Sequence, residues 1–260
     1  MSNSQEVLAL IPARGGSKSI PRKNIRLVSG KPLIYYSIRD AIACPGISRV
    51  IVTTDDCEIA KIARYYGAET PFIRPKSISG DFSLDIEFHT HALNWLIDNE
   101  GYKPDLVMNL RPTNPVRNIE TLQKSIDLIN SNDKADSVRS VRLSELSPYK
   151  MWTIDDSTEL IKPVCGSHAD ELYNMPRQKL PMTFWQDGYV DVARTTTVLE
   201  KKSTTGDIIM PLIINEDSVD IDYEESIFGA EILLNGGSMV EANMAMNKFR
   251  SSNKFKRHPS

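Results

Sequence analysis

An apolar run followed by a basic loop constrains the fold of this chain more than any other feature. Residues Val7–Ile11 are all apolar, which predicts a buried first strand. No Asp or Glu occurs between Glu6 and Asp40, and the loop after the apolar run carries Arg14, Lys18, Arg22 and Lys23, followed by Arg26 and Lys31. Two adjacent glycines let backbone N–H groups approach a ligand, so the loop suits several phosphates. Charge alone leaves a merely basic surface loop as the alternative.

The order of residues excludes two familiar phosphate-binding loops. A P-loop requires Gly-x-x-x-x-Gly-Lys-Ser/Thr, which this chain lacks. A dinucleotide-binding turn requires Gly-x-Gly-x-x-Gly at the start of a helix, whereas here Gly15 and Gly16 are adjacent and Pro21 interrupts the loop. What remains is a long basic loop after the first strand of an α/β domain.

Length and composition narrow the function classes. A chain of 260 residues can bury one full core and carry an appendage. A net charge of −3, with cations clustered only locally, argues against nucleic-acid binding. No segment approaches the roughly 18 apolar residues of a membrane span, and the N-terminus has no signal-peptide pattern. The three cysteines show no metal-ligand spacing, and their odd number does not suggest a disulfide framework. Together with the missing membrane span and signal-peptide pattern, this leads us to expect a cytoplasmic protein that contacts no membrane.

Strand and helix patterns alternate along the chain. Apolar runs predict strands at 7–11, 49–54, 106–110, 136–143, 189–193, 208–213 and 219–222. Apolar residues at helical spacing predict helices at 33–44, 58–66, 84–97, 118–129 and 224–234. The β-α order of the first half implies a largely parallel sheet with helices on both faces.

The alternation is interrupted from about Glu145. Residues 145–187 contain four prolines and five scattered aromatic residues but no long periodic segment. We interpret them as an arm that packs on another surface, because such a long loop is uncommon inside a compact domain. The chain is therefore predicted to have a main domain of residues 1–144 and 188–240, the arm, and a flexible basic tail at 241–260.

Two carboxylates are spaced for one face of an extended segment. Alternation places Asp220 and Asp222 on one side while Val219 and Ile221 bury the other. Two neighbouring oxygen ligands suit Mg²⁺, which takes one or two carboxylates together with phosphate oxygens. On spacing alone, a half-exposed strand with a polar outer face is an equal alternative.

A proline-rich turn follows the strand predicted to end at Leu110. Its sequence is Arg111-Pro-Thr-Asn-Pro-Val-Arg117, and its two prolines favour a rigid, extended path. Ligands bind at the carboxyl ends of parallel strands, so this turn is a candidate wall of a site. By contrast, the isolated cations Arg74, Lys150 and Arg177 are by themselves typical of a solvated surface.

Four motifs in this order resemble one family. They are Ile11-Pro-Ala-Arg-Gly-Gly-Ser-Lys18 with Lys23-Asn24, the Pro112-Thr-Asn-Pro115 turn, Pro176-Arg-Gln-Lys-Leu-Pro181 and Asp220-Ile-Asp222. The chain is similar to the CMP-sialic acid synthetases, or acylneuraminate cytidylyltransferases, from about Val7 to Gly236. This resemblance implies an α/β three-layer sandwich with a protruding dimerisation arm. It also implies a homodimer that uses CTP and Mg²⁺ to convert a 2-keto-3-deoxy sugar acid into its CMP-sugar.

The resemblance also implies roles for individual residues. Those implied to be catalytic are Arg14, Lys23, Asp222 and Arg177. Those implied to bind the nucleotide or the sugar are Ser17, Lys18, Asn24, Arg74, Ser83, Arg111, Lys150 and Asp187. Asp220 and Asp222 are implied to hold Mg²⁺.

Some residues depart from the family pattern. Ser19 replaces a glycine, Arg111 replaces a glutamine, Asn114 replaces a serine, and Gln186-Asp187-Gly188 differs from the usual Asn-Gly. A guanidinium only donates hydrogen bonds, whereas glutamine also accepts them. We therefore expect an acceptor that differs from N-acetylneuraminic acid at a polar substituent, such as a legionaminic-type sugar. The alternative is that Arg111 and Asp187 pair with each other and never touch the sugar.

Two other functions remain open at this point. One is a nucleotidyltransferase for a different sugar or nucleotide, such as an octulosonate or a sugar phosphate. The other is a protein that binds nucleotide sugars without catalysis. The cationic loop and the acidic pair argue against the second.

Overall fold

The computed structural model describes residues 5–167 and 170–252 of the chain. The strands are β1 (Val7–Pro12), β2 (Leu27–Val28), β3 (Lys31–Pro32), β4 (Arg49–Thr53), β5 (Leu106–Asn109), β6 (Ser137–Leu143), β7 (Trp152–Asp155), β8 (Leu160–Pro163), β9 (Phe184–Arg194) and β10 (Ile209–Ile213). The α-helices are α1 (Leu33–Ala43), α2 (Cys57–Tyr65), α3 (Asp85–Glu100), α4 (Ile119–Asn130), α5 (Thr195–Leu199), α6 (Glu224–Leu234) and α7 (Met239–Ser252). Among the described helices, none has the length and apolar composition needed to cross a membrane.

A central sheet of six strands organises the fold. β1 lies in its interior, parallel to β4 on one side and to β5 on the other. β9 pairs antiparallel with β5, and the full strand order is β10-β6-β9-β5-β1-β4. The predicted α/β class with a mostly parallel sheet is confirmed.

Apolar cores on both faces of the sheet create three layers. In β1, Val7, Ala9 and Ile11 join a core that includes apolar residues of α1, α2 and α4. Leu8 and Leu10 alternate with them and join a second core with α3 and α5. Because β1 is covered on both faces, its residues form a continuous apolar run rather than an alternating one.

The chain divides into two compact units. The large unit comprises Met1–Ser140 and Gly188–Ser260, and the small unit comprises Val141–Asp187. Within the small unit, β7 and β8 form an antiparallel hairpin in which Trp152 lies opposite Pro163. The Trp152 ring packs on the Tyr173 ring at a centroid distance of 4.5 Å. The function of the small unit as a dimerisation arm stays a prediction.

The segment predicted as a strand at 219–222 belongs to no sheet. It has no regular secondary structure, and its Ile221 N–H donates to the Thr113 carbonyl at 2.7 Å. The predicted alternation of side chains nevertheless holds, because Val219 and Ile221 are buried in a third core with apolar residues of α1, α6 and α7. This core, rather than a neighbouring strand, keeps Asp220 and Asp222 on the outer side.

The prediction of a flexible tail from residue 241 is wrong over its first half. Residues Met239–Ser252 form α7, which Asp217 helps to begin by accepting the Met239 N–H at 3.1 Å. Ala242 and Met246 are buried, with Met246 in the third core. This spacing of four residues is the apolar face that the sequence interpretation missed. Residues 253–260 of the predicted tail lie outside the described residues.

Candidate active site

A cleft of about 470 Å³ opens where β1 and β5 end in the large unit. The predicted site residues in its lining are Arg14, Ser17, Lys18, Lys23, Asn24, Arg74, Ser83, Arg111 and Asp222. The segments that meet here are the basic loop after β1, the polar loop before α3, the turn after β5 and the segment before α6. The carboxyl ends of parallel strands are the usual ligand-binding edge of an α/β sheet.

Carboxylates at the start of α2 hold the basic loop in position. The Gly15 N–H donates to Asp55 Oδ1 at 2.8 Å, and a Cβ at Gly15 would lie only 2.8 Å from Asp56 Oδ2. Glycine is therefore needed at this close approach. Arg22 pairs with Asp56 and with Glu58, and its hydrogen bond lowers the pKa of the Asp56 carboxyl. Arg22 thus anchors the loop and is absent from the lining of the cleft.

Asp81 provides a counter-charge for two cations of the cleft. Its carboxylate lies 3.0 Å from Arg14 Nη1 and 2.7 Å from Lys18 Nζ. Arg14 also donates to the Gly80 carbonyl at 2.8 Å. Sequence reasoning missed Asp81, because the acid lies in a different loop, far from the basic segment along the chain. The first acid after Arg74-Pro75 was the available signal.

Lys23 joins the basic loop to the acidic segment before α6. Its Nζ donates to the Ile221 carbonyl at 2.9 Å and to Asp222 Oδ1 at 3.1 Å. The Lys23 side chain is only 12% exposed, so burial and these two partners restrict its position. Asn24 donates its side-chain N–H to the Arg14 carbonyl at 2.9 Å and thereby stabilises the same loop.

Arg74 forms a buried wall of the cleft. The residue is 4% exposed, and its guanidinium lies 5.5 Å from the centre of the Phe88 ring. Burial lowers the pKa of Arg74, and its Nε and Nη2 atoms have no hydrogen-bond partner among the described residues. A buried guanidinium with unsatisfied donors requires an acceptor oxygen or nitrogen. Nearby, Ser83 Oγ accepts the Gly80 N–H at 3.0 Å and shapes the polar loop.

The two carboxylates before α6 lie on the same side of their segment. Asp220 and Asp222 alternate with buried Val219 and Ile221, and Asp222 lines the cleft. Partial burial and the charge of Asp222 raise the pKa of Asp220, although a hydrogen bond with Thr113 opposes this shift. Among the described residues, no group of three or more His, Cys, Asp or Glu side chains could hold a metal ion. Mg²⁺ in proteins often takes one or two carboxylates together with phosphate oxygens of a substrate. Asp220 and Asp222, beside cations that could bind those phosphates, fit this donor set.

Arg111 is neutralised inside the large unit. Its guanidinium pairs with Asp85 and, at 2.9 Å, with Asp191. Asp191 also accepts from Arg139 Nε at 3.1 Å, so two arginines and two carboxylates form one network. Burial lowers the pKa of Arg111, but the charges of Asp85 and Asp191 outweigh it and raise the pKa overall. Sequence reasoning missed Asp85 and Asp191, since their contact with Arg111 depends on the packing of α3 and β9 around β5.

The family comparison agrees with this geometry. The model of the cytidylyltransferase family matches residues 8–162 of the chain. The chain belongs to the cytidylyltransferase family. This match includes the basic loop, the polar loop before α3 and the turn after β5.

Two relatives of this cytidylyltransferase are named for the transfer of CMP to sugar acids. The CMP-N,N'-diacetyllegionaminic acid synthase of Legionella pneumophila is 32% identical over 228 residues, which are 85% of this chain and 92% of that protein. The N-acylneuraminate cytidylyltransferase of Escherichia coli is 30% identical over 218 residues, which are 84% of this chain and 49% of that protein. The structure of CMP:2-keto-3-deoxy-manno-octonic acid synthetase with CTP covers 89% of this chain at a TM-score of 0.65 and 13% identity, and 99% of its own chain is covered. At 13% identity, the similarity to this synthetase structure shows the fold alone.

The remaining predicted residues of the cytidylyltransferase belong to the small unit. Lys150 donates to the Tyr173 carbonyl at 3.1 Å, and Asp187 pairs with Arg142 at 3.1 Å. Arg177 lines a separate cavity of about 370 Å³ within this unit. Within their own units, Arg111 pairs with Asp85 and Asp191, and Asp187 pairs with Arg142. The alternative in which Arg111 and Asp187 pair with each other stays a prediction.

Proposed function

We propose that this chain transfers CMP from CTP to a sialic-acid-like 2-keto-3-deoxy sugar acid and releases pyrophosphate. The observation that carries the proposal is one cleft in which the cationic loop faces Asp222. The family match supports the nucleotidyl transfer. The relatives named for sialic-acid-like sugars support the class of acceptor.

In this proposal, the basic loop positions the triphosphate. Arg14, Lys18 and Lys23 neutralise its oxygens, while the anomeric hydroxyl of the sugar attacks the α-phosphorus and pyrophosphate leaves in line. Phosphoryl-type transfers require little covalent help, so positioning and charge stabilisation dominate the catalysis. The Asp81 carboxylate pairs with Arg14 and Lys18, and in this proposal the phosphates compete with it for both cations.

Arg74 supports recognition of the base. Its unsatisfied Nε and Nη2 donors lie in a buried wall beside the phosphate-binding loop. Cytosine offers a carbonyl oxygen and a ring nitrogen as acceptors, which suit such donors. The neighbouring Phe88 ring and the Gly80–Ser83 turn supply an apolar surface and main-chain groups for the same moiety.

Asp220 and Asp222 would hold Mg²⁺ together with phosphate oxygens of the substrate. When bound, the ion neutralises phosphate charge and polarises the α-phosphate. We predict that EDTA abolishes pyrophosphate release and that Asp222→Asn reduces turnover by about 100-fold or more. Asp217→Asn, in the same segment but outside the cleft lining, is the matched control and should retain activity. Full activity in EDTA, or wild-type turnover of Asp222→Asn, would remove the metal assignment.

A legionaminic-type sugar is the acceptor that we expect. The cationic Arg111 at the cleft wall, where the resembled family has a neutral glutamine, favours a sugar that differs from N-acetylneuraminate at a polar substituent. The 32% identical CMP-N,N'-diacetyllegionaminic acid synthase supports the same class. Because both guanidinium ends of Arg111 are already paired, Arg111 acts on the pocket partly through the orientation of Asp85.

An acceptor screen with a pyrophosphate readout tests the function directly. CTP, UTP, GTP and ATP are each combined with N-acetylneuraminate, N,N'-diacetyllegionaminate and 2-keto-3-deoxy-octulosonate, and kcat/KM is compared. We expect activity with CTP alone and a preference for the legionaminate. A clear preference for N-acetylneuraminate would contradict the altered specificity, whereas no pyrophosphate with any pair would contradict the enzyme.

Homodimer formation and a cytoplasmic location belong to the same proposal. The small unit exposes several large apolar side chains, among them Trp152, Ile154, Leu160, Ile161, Met182, Phe184 and Trp185. Exposed apolar surface of this kind is typical of a protein interface, and a second copy of this chain is the proposed partner. Three free cysteines support a reducing compartment.

A further inference from the structure

Arg117 is a buried arginine that the proposed chemistry does not use. It is 9% exposed, and its Nε donates to the Tyr189 carbonyl at 2.7 Å. Its Nη1 donates to Ser37 Oγ at 3.0 Å and to the Asn114 carbonyl, and its Nη2 donates to the Arg111 carbonyl at 2.6 Å. Burial lowers the pKa of Arg117 to about 10, so it stays charged at neutral pH. Among the described residues, its hydrogen-bond acceptors are three main-chain carbonyls and one hydroxyl, and none is a carboxylate.

These contacts restrain the turn after β5 through its main chain. The carbonyls of Arg111 and Asn114 accept from Arg117, and the Thr113 carbonyl between them accepts the Ile221 N–H at 2.7 Å. The side-chain amide of Asn114 is buried without a partner among the described residues, so it does not replace these bonds. Arg117 and Ile221 thus hold three carbonyls of the same turn, those of Arg111, Thr113 and Asn114.

The position of the 111–114 turn determines where the acidic segment lies. Ile221 is the residue between Asp220 and Asp222, and its N–H bond to Thr113 is the main-chain link from this segment to the turn. A shift of the turn would therefore move both carboxylates relative to Lys23 and the cleft.

We propose that Arg117 is a positioning residue for Asp220 and Asp222. It acts through the carbonyls of the 111–114 turn and the Thr113–Ile221 hydrogen bond, and it contacts neither the nucleotide nor a metal. Arginine is required because its planar fork reaches several acceptors at fixed angles, whereas a lysine offers one compact ammonium group. The proposal rests on the proposed function only for the identity of the ligand that the two carboxylates bind.

The chain contains a matched control for this arginine. Arg194 at the end of β9 also donates to three main-chain carbonyls, those of Ala135 at 2.8 Å, Ile129 at 3.1 Å and Asn132 at 3.2 Å. In the β5–β9 pair Arg194 lies opposite Leu106, at the end of β5 away from the cleft. Arg194→Lys removes the same kind of hydrogen bonds from a turn that lies elsewhere. It therefore reports the general effect of losing a partly buried guanidinium that donates to main-chain carbonyls.

Amide hydrogen exchange of the full chain without ligand tests the mechanical link. Arg117→Lys should accelerate exchange in peptides covering 111–114 and 219–222, while Arg194→Lys should accelerate exchange near 129–136 and leave 219–222 unchanged. Unchanged exchange at 219–222 in Arg117→Lys would overturn the proposal, as would equal acceleration there by Arg194→Lys. This readout does not depend on whether the protein binds CTP.

Calorimetric titration tests the consequence for the site. CTP binding in EDTA should change by less than about twofold in Arg117→Lys, because the cationic cradle is untouched. Affinity of the protein–CTP complex for Mg²⁺ should fall about 10- to 100-fold, the usual range for losing an outer support of metal ligands. Wild-type Mg²⁺ affinity in Arg117→Lys overturns the proposal. Failure of the wild-type protein to bind CTP would instead count against the proposed function, and the exchange experiment would still decide the role of Arg117.

Discussion

Lys23 and Lys31 belong to the same acid-free segment but occupy different environments. The Lys23 ammonium group is buried in the cleft beside Asp222. The Lys31 ammonium group lies 5.5 Å from the Tyr35 ring centre and 6.0 Å from that of Tyr66, outside the cleft lining. The two lysines carry the same formal charge, but we expect the loss of Lys23 to affect catalysis much more than the loss of Lys31.

This difference gives a prediction at the scale of single residues. Lys23→Ala should lower kcat/KM by about 100-fold or more, as expected for removal of a preorganised charged donor worth about 3 kcal/mol. Lys31→Ala should have a mild effect, since screening weakens a distant exposed charge. Initial rates of pyrophosphate release measure both. Comparable losses from the two variants would indicate general electrostatics instead of a specific site.

At the scale of elements, Asp136 connects β6, β9 and the loop before β10. Its carboxylate accepts from Lys201 Nζ at 2.8 Å and from the N–H groups of Asp207 and Ile208 at 2.8 and 3.0 Å. Its carbonyl accepts the Arg194 N–H at 3.0 Å. The Lys201 hydrogen bond, followed by the two backbone bonds, holds the pKa of Asp136 well below its usual range.

A depressed carboxyl pKa in the folded state implies a pH-dependent contribution to stability. The contribution is present above the unfolded pKa of about 3.9 and is lost as the pH falls towards the folded value. Asp136→Asn should therefore lower the free energy of unfolding by about 1–3 kcal/mol at pH 7. The difference from wild type should narrow below about pH 4.

Urea denaturation at pH 7 and at pH 3 measures this effect. Asp133→Asn, at an exposed carboxylate just before β6, is the control and should be nearly neutral at both pH values. A wild-type stability for Asp136→Asn at pH 7, or an equal deficit at both pH values, would contradict the linkage.

At the scale of the whole molecule, the proposed dimer predicts complementation between subunits. The resemblance implies that Lys150 of the small unit completes the site of a second copy. Mixed dimers of Asp222→Asn and Lys150→Ala subunits would then each contain one intact site. Random exchange should restore about a quarter of wild-type activity, because half of the dimers are mixed and half of their sites are intact.

Sedimentation and mixing experiments decide this prediction. The wild-type chain should sediment as a dimer, and activity should appear only after subunits of the two variants have exchanged. The Asp222→Asn and Lys150→Ala proteins must each be dimeric and inactive alone. A fully active monomer, or no recovery after proven exchange, would exclude a shared site.

The sequence by itself determined the features that depend on local pattern. The apolar run at 7–11, the helical spacings and the turn signals lead to the α/β class, because periodicity of two or 3.6 residues reflects which faces are buried. The order of motifs led to the cytidylyltransferase family and to nine of the twenty residues that line the cleft. The same local reasoning failed for α7, in which only Ala242 and Met246 are buried.

Only the tertiary structure decided the partners of those side chains. Asp81 beside Arg14, and Asp85 and Asp191 beside Arg111, are carboxylates that no spacing in the sequence connects to their cations. Asp220 and Asp222 share a side because an apolar core buries Val219 and Ile221, although no strand forms there. Ion pairs and hydrogen bonds require contact within a few ångströms, and the packing of distant segments sets that contact.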